Sequence, residues 1–304
     1  ADLGQGVLPT LYNAPGSSNP TSQLFNDRFN TDVIAGFGSI DWSPDDRFNA
    51  GLALRYDIED RRATNLVPIA TDPFTGGPIN PGQAGGPIPP QSAVFRQLQP
   101  KITLRYRAAD EATLFANWGV GFKSGGFNNQ GSAAIVDNAF NDGVTPGTIN
   151  AGVQINDLYR KERSSAFEAG LKGSILDGAI TYDIAGYYTQ VRDMQFFEFF
   201  VGGFGLLRVV SNIDRVDLWG GEANITVKPL DGWSIFASGN FTESEIKRNS
   251  SRPDTVGNKS PYTADYTLNI GTQLVLPITE KVRGTLRADY RLTGPTWFHS
   301  VQDQ

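Results

Sequence analysis

Apolar and polar residues alternate at period two over long stretches of this chain, which restricts it to β-strands with one dry and one wet face. The stretch Arg47 to Glu59 is the clearest. Phe48, Ala50, Leu52, Leu54, Tyr56 and Ile58 fall on one side, and Arg47, Asn49, Gly51, Ala53, Arg55, Asp57 and Glu59 on the other. A helix would scatter these residues around its axis; a strand separates them by face. The last segment repeats the pattern. Val282, Gly284, Leu286, Ala288, Tyr290 and Leu292 oppose Lys281, Arg283, Thr285, Arg287, Asp289 and Arg291, a set so charged that it must meet water. Similar runs occupy roughly 31–43, 95–107, 112–126, 160–173, 179–192, 207–228, 233–245 and 262–276, about ten segments in all. Most are about 12–16 residues long. A tilted strand crosses a bilayer in about 9–11 residues, whereas a soluble strand usually has about 5–6. The pattern therefore predicts an all-β chain of transmembrane antiparallel strands.

The connections carry a second signal. Tight turns follow the first, third, fifth, seventh and ninth strands: Ser43 to Asp46, Ala108 to Glu111, Leu176 to Gly178, Leu230 to Gly232 and Pro277 to Glu280. The even-numbered strands lead into long connections at about 61–94, 127–158, 193–206 and 246–261. The first of these is dense in proline and glycine between Pro73 and Pro90 and is expected to lack regular structure. Strict short–long alternation puts all short turns at one rim and all long loops at the other, the layout of an outer-membrane barrel. Residues 1–30 read as an extracellular loop, 31–298 as a partial barrel, and 299–304 as the start of a further loop. The chain thus looks cut at both ends.

Composition removes several possibilities. No apolar run of about 18 residues exists, so no transmembrane helix is expected. The mean hydropathy of −0.29 does not argue against a barrel, whose strands average an apolar and a polar face. Without cysteine there is no disulfide scaffold and no zinc–thiolate site. A net charge of −6 without a basic stripe argues against nucleic acid as a partner. The chain opens at Ala1 without a charged n-region and apolar h-region, so any signal peptide is expected upstream or already removed.

Several segments resemble the barrel domain of TonB-dependent outer-membrane receptors. Ala112 to Asn128 (ATLFANWGVGFKSGGFN) is similar to one strand of that family, and Tyr159 to Gly173 (YRKERSSAFEAGLKG) to another. Trp219-Gly220-Gly221-Glu222-Ala223 matches a third element, with Gly221 where a branched residue is usual, and Arg291 to Pro295 resembles a fourth. The likeness covers roughly 31–298. It implies a 22-stranded barrel of which these strands would be about the tenth to the nineteenth. The family's plug domain, TonB box and final strands would lie outside this sequence. Even-numbered strands of that barrel descend to the periplasm and turn tightly, as the first strand here does. The resemblance further implies a Gram-negative outer-membrane location and active uptake of a scarce nutrient: a ferric siderophore foremost, or a vitamin or oligosaccharide. The implied partners are outer-membrane lipid, the small-molecule ligand, and the TonB–ExbB–ExbD complex acting through the plug. No cofactor and no catalytic residue are expected.

Candidate ligand contacts are Phe127, Asn128, Arg163, Phe200 and Phe204. The aromatic run Met194 to Phe204 sits at a predicted extracellular tip, where Phe204 between glycines is the better ligand candidate and Phe196 to Phe200 read more simply as an aromatic girdle. Lumen-facing charges (Arg55, Asp57, Glu59, Lys101, Arg105, Glu168, Lys172, Arg283, Arg287, Asp289 and Arg291) read mainly as cross-strand ion pairs and plug contacts. Gly119 to Gly126 mimics a phosphate loop but lacks glycine directly before Lys123, and its glycines read as rim residues. His299, the single histidine, could serve a ten-stranded outer-membrane protease with Asp303, and otherwise is a loop residue. A passive porin and a soluble adhesin compete with the transporter as well. The Asn-x-Ser/Thr sites at Asn224, Asn240, Asn249 and Asn258 carry no meaning in a bacterium.

Overall fold

Among the described residues, ten long strands run up and down in sequence order; the inner eight hydrogen-bond to the long strand before and after, and the two at the ends to one neighbour each. They are β1 (Asp27–Trp42), β2 (Phe48–Asn65), β3 (Gln91–Ala109), β4 (Ala112–Lys123), β7 (Glu162–Ile175), β8 (Ile180–Gly202), β9 (Gly205–Leu230), β10 (Trp233–Arg248), β11 (Tyr266–Pro277) and β12 (Arg283–Thr293). A two-residue pair, β5 (Gly126–Phe127) with β6 (Leu158–Tyr159), and the helix α1 (Ser132–Phe140) lie in the connection between β4 and β7. The computed structural model describes residues 25–67, 69, 71, 76–78, 80–141, 152–202 and 205–302.

The antiparallel meander and its ten strands agree with the periodicity, and all the long neighbours pair antiparallel. Strand ends at the loop rim depart from it. β1 already starts at Asp27, inside the segment read as a loop. The loop expected at 193–206 is mostly strand, because β8 continues to Gly202 and β9 resumes at Gly205, joined as one long hairpin. Above the hydrocarbon both faces of a strand meet water or protein, so alternation fades while the backbone bonds continue. The proline- and glycine-rich connection between β2 and β3 holds a 3₁₀ turn at Pro81–Gln83, with the Asn80 side chain accepting the Gly82 N–H at 2.8 Å.

Register sorts the side chains by face. On one face even the inner strands leave Leu98, Phe167 and Phe241 each 50% exposed, a continuous apolar surface of the kind that lipid covers. One lateral row on this face, Trp118–Phe167–Tyr188–Trp219, crosses four adjacent strands and forms the aromatic girdle. The opposite face carries the predicted charges, but among the described residues the ion pairs they form (Arg55–Asp57, Arg61–Glu59 and Arg287–Asp289) join residues two apart on one strand and are not the expected cross-strand pairs, because i and i+2 share a face of the pleat. Arg55 grips Asp57 with two nitrogens, Gln99 adds a hydrogen bond to the same carboxylate at 2.5 Å, and Arg287 grips Asp289 likewise.

The turn rim is built as the sequence suggests. Asp45 accepts the N–H groups of Arg47 and Phe48 at 2.8 Å each, which holds its carboxyl below the usual range. Gly232 takes φ +79° in the Asp231-Gly232 turn between β9 and β10, a conformation cheap only for glycine.

Aromatic rings lie flat over glycines on the lumen face. Tyr187 covers Gly220 and is pinned by Thr242 at 2.5 Å and Asn240 at 3.1 Å. Phe115 covers Gly170 beneath Lys172, and Phe236 covers Gly271 beneath Arg287. A Cβ on Gly220 would fall 2.0 Å from the Phe241 carbonyl oxygen and 2.6 Å from the Tyr187 hydroxyl. On the lipid face, a Cβ on Gly186 meets nothing closer than 3.8 Å. Gly220→Val in the full-length protein therefore destabilises by about 1–3 kcal/mol or more through overpacking, whereas Gly186→Val is near neutral. Urea unfolding of the membrane-extracted protein checks this, and equal stability of the two variants would refute the stacking account.

Candidate functional site

Neighbouring strands support the β8–β9 hairpin only as far as Arg163–Arg192 on one side and Arg248–Arg215 on the other. The remaining ten or so residues of each strand overhang the loop rim, roughly 33 Å of extended chain at about 3.3 Å per residue. The ladder skips one pair, Asp193 and Asp214, between Arg192–Arg215 and Met194–Ile213. There Asp193 adopts φ +53°, and a side chain from the β4–β7 connection takes over the bonding. Arg160 reaches Asp193 at 3.0 Å and Asp214 at 2.8 Å, bridging two carboxylates that would otherwise repel across the ladder. Asn212 completes the hinge, donating to the Asp193 and Arg160 carbonyls and accepting the Arg160 N–H.

The β4–β7 connection is itself folded. Asp157 accepts the N–H groups of Gly131 and Ala133 at 2.8 Å each, which caps α1 with a carboxylate at its positive end. Ile135 and Val136 of α1 then bury against Phe200, Leu207 and Val209 of the hairpin. The spacing Ile135, Val136, Phe140 and the start at Ser132 spell about two and a half amphipathic turns, but nine residues between glycine- and asparagine-rich flanks make a weak helix signal. Asn128 is the clamp. Its amide accepts the Val210 N–H at 2.7 Å, and donates to the Val210 carbonyl at 2.9 Å and the Asn156 carbonyl at 2.9 Å. Gln195 ties the hairpin to the Ser124 carbonyl at 2.7 Å and to Glu162 at 2.8 Å.

Between these parts lies a cavity of about 440 Å³, lined by Phe25, Phe29, Phe127, Tyr159, Phe196 and Phe197, with Lys123 and Arg208 as its cations and Asn128, Asn129 and Gln195 as amides. Its wall residues Phe29 and Lys123 are on the lumen face, by their register with Ala63 and Glu162. Arg208 stacks over Phe197 at 4.6 Å from its centroid. Burial holds the Tyr159 phenol above its usual range, so it stays a donor. Gly125 and Gly126 pass beneath Phe95 and Tyr159, where a Cβ would strike the Phe95 ring at 2.3 Å and the Tyr159 hydroxyl at 2.5 Å; the loop mimics a phosphate cradle only in its spelling.

Of the five candidate contacts, Phe127 and Asn128 line this cavity. Phe200 is buried against Phe140 and α1, away from the cavity's lining, and Phe204 lies outside the described residues. Arg163 shares its face with Phe167 and points outward, not to the lumen. The aromatic run is not the girdle, because Phe196 is buried against Val191, Ile213, Val216 and Ile246, and Phe200 against α1. Sequence reasoning misses Lys123, Arg208 and Tyr159 as lining residues; the lumen parity of Lys123 is the one signal that could have found any of them. His299 packs edge-on to Phe199 at 6.4 Å between centroids, and Asp303 lies outside the described residues. Among the described residues no group of three or more histidine, aspartate or glutamate side chains could hold a metal.

Asn128→Ala leaves the Val210 N–H and C=O without their partners, at about 1–3 kcal/mol per group. Hydrogen exchange of the amides in 194–201 and 206–213 should accelerate by about tenfold or more, with the strands below Arg192 unchanged. Uniform acceleration throughout the sheet would show that Asn128 is no local clamp.

A family model described as the TonB dependent receptor-like β-barrel matches residues 3–303. Among solved structures, the chain is similar to the ferric yersiniabactin uptake receptor FyuA from Yersinia pestis, at 20% identity and TM-score 0.63, covering 90% of this chain and 36% of that one. The siderophore receptor PiuA from Acinetobacter baumannii follows at 14% identity and TM-score 0.55, covering 86% and 34%. The ferric-catecholate import receptor Fiu from E. coli K12, closed form, is similar at 13% identity and TM-score 0.57, covering 90% and 36%. This chain spans about a third of the length of each of these receptors.

Proposed function

Because this chain belongs to the TonB-dependent receptor β-barrel family, we propose that it forms part of the wall and ligand-contacting loops of an outer-membrane transporter for an anionic metal chelate, a ferric siderophore foremost. The loop rim faces the medium and the turn rim the periplasm. The ligand settles in the cavity at the mouth, and the TonB–ExbB–ExbD complex, acting through a plug domain, drives its release inward. The observation that carries the ligand class is the lining: aromatic rings for a planar chelating group, with Lys123 and Arg208 for its negative charge. The similar receptors are named for ferric yersiniabactin and ferric catecholate, and point to the same chemistry. Phe127 offers a stacking face, and Asn128, already committed to Val210, keeps that face in position.

A vitamin or oligosaccharide would use the rings and amides and leave the two cations without a role. Titrating the full-length receptor with ferric catecholate, ferric hydroxamate, ferric citrate, cobalamin and a maltooligosaccharide, read by tryptophan fluorescence, separates the readings. An anionic ferric chelate should saturate the signal, and Lys123→Ala and Arg208→Ala should each weaken it by about 10–100-fold, the equivalent of one lost charged hydrogen bond. Saturation by the neutral sugar, with both variants unaffected, would sink the proposal.

A further inference from the structure

The register aligns four arginines in a single lateral row across four adjacent strands: Arg163 of β7 opposite Arg192 of β8, Arg192 opposite Arg215 of β9, and Arg215 opposite Arg248 of β10. Residues directly opposite share a face, and this is the face of the aromatic girdle. Arg163, Arg192 and Arg215 each stand four residues from the girdle residues Phe167, Tyr188 and Trp219 on their own strands. A β-bulge between Ile246 and Arg248 adds Lys247 beside the row.

Like charges placed opposite one another across strands cost stability, so such a row calls for anions. Its protein partners are insufficient. Asp217 holds Arg215 with two hydrogen bonds, at 2.9 and 2.7 Å, and Glu245 pairs with Lys247. Among the described residues, the one carboxylate near Arg248 is Asp214, at 3.9 Å, and it already serves Arg160 and the Ser250 N–H. Arg192 donates to the neutral Gln190 at 3.1 Å. Among the described residues, no carboxylate lies within salt-bridge distance of Arg163 or Arg192, and both side chains are exposed. Arg192, Arg215, Lys247 and Arg248 surround a cavity of about 330 Å³ with Asp214 as its one carboxylate.

Depth identifies what could fill it. Four residues of strand, tilted about 45°, raise the row by roughly 9 Å over the girdle. Aromatic belts sit at the edge of the hydrocarbon, and the headgroup layer on each side is about 5–8 Å thick. The row therefore lies at the height of lipid headgroups, on the side that faces lipid. Three inter-strand steps make it about 14 Å wide, more than one phosphate can satisfy. Arginine binds phosphate oxygens bidentately, and the Arg163, Arg192 and Arg248 side chains are exposed in this row.

We propose that the outward row Arg163–Arg192–Arg215–Arg248 is a docking site for the headgroup of a bisphosphorylated lipid in the leaflet at the loop rim. The site depends on the chain spanning a membrane and is independent of what the barrel transports. Native mass spectrometry of the detergent-purified full-length receptor, titrated with bisphosphorylated lipid A, its monophosphorylated form and phosphatidylethanolamine, tests it. Retention should fall in that order, and millimolar inorganic phosphate should not displace the bisphosphorylated lipid. The double variant Arg163→Gln/Arg192→Gln should lose on the order of tenfold in retention of that lipid, with chelate binding unchanged. Raising salt should weaken retention by the wild type, a reading that needs no variant. Equal retention by wild type and double variant, equal retention of phosphatidylethanolamine, displacement by free phosphate, or insensitivity to salt would each overturn the proposal.

Discussion

No water is available inside a bilayer to satisfy a backbone N–H or C=O, and that shortage shapes the whole sheet. Each unpaired group there costs several kcal/mol, so a spanning strand must be hydrogen-bonded to a neighbour along its whole buried length. Long strands, the strictly sequential order, the unbroken register of β7 with β8 and the tight turns at one rim all follow. With the backbone committed, side chains alone distinguish the two faces. The lumen face uses this freedom to lay Phe115, Tyr187 and Phe236 over glycines, which fills the pleat without crowding the channel.

Where the strands leave the hydrocarbon the constraint relaxes, and the local chemistry changes. The β8–β9 hairpin continues with no long sheet neighbour, so its edge groups need new partners. Asn128 supplies them to Val210 by presenting an amide that imitates another strand. At the hinge, the pair that the ladder skips is two aspartates, and Arg160 replaces the missing backbone bonds with a charged bridge. Loop, helix α1 and hairpin thereby become one packed unit, a preformed wall for the cavity beside it.

What could be read from the sequence follows the same boundary. Within the bilayer one face must be apolar at every second residue, so all ten strands and the parity of Arg55, Asp57, Lys172 and Asp289 were directly legible. Beyond it the pattern no longer has to alternate. Met194 to Phe200 spells an aromatic run that looks like a loop or a girdle, yet it is a strand in which Phe196 and Phe197 line the cavity and Phe200 packs on α1. The cavity is out of reach for a further reason: Phe29, Lys123, Tyr159 and Arg208 come from four separate segments, and no local pattern links them.

Arg163 shows how finely the period-two rule divides function. Its neighbour Glu162 stands opposite Lys123, on the lumen face, and accepts the Gln195 N–H that braces the hairpin. One residue on, Arg163 stands opposite Phe122 and Arg192, on the face of Phe167, and meets the bilayer. A cation that the motif alone would assign to the ligand is thus turned away from it by half a pleat. Lys123 and Arg208 line the cavity and Arg163 and Arg192 stand outside it, with Lys123 and Arg163 on opposite faces of a single sheet. The same backbone ladder therefore keeps the cations suited to a chelate apart from those suited to a lipid. Removing either pair should leave the other's ligand in place.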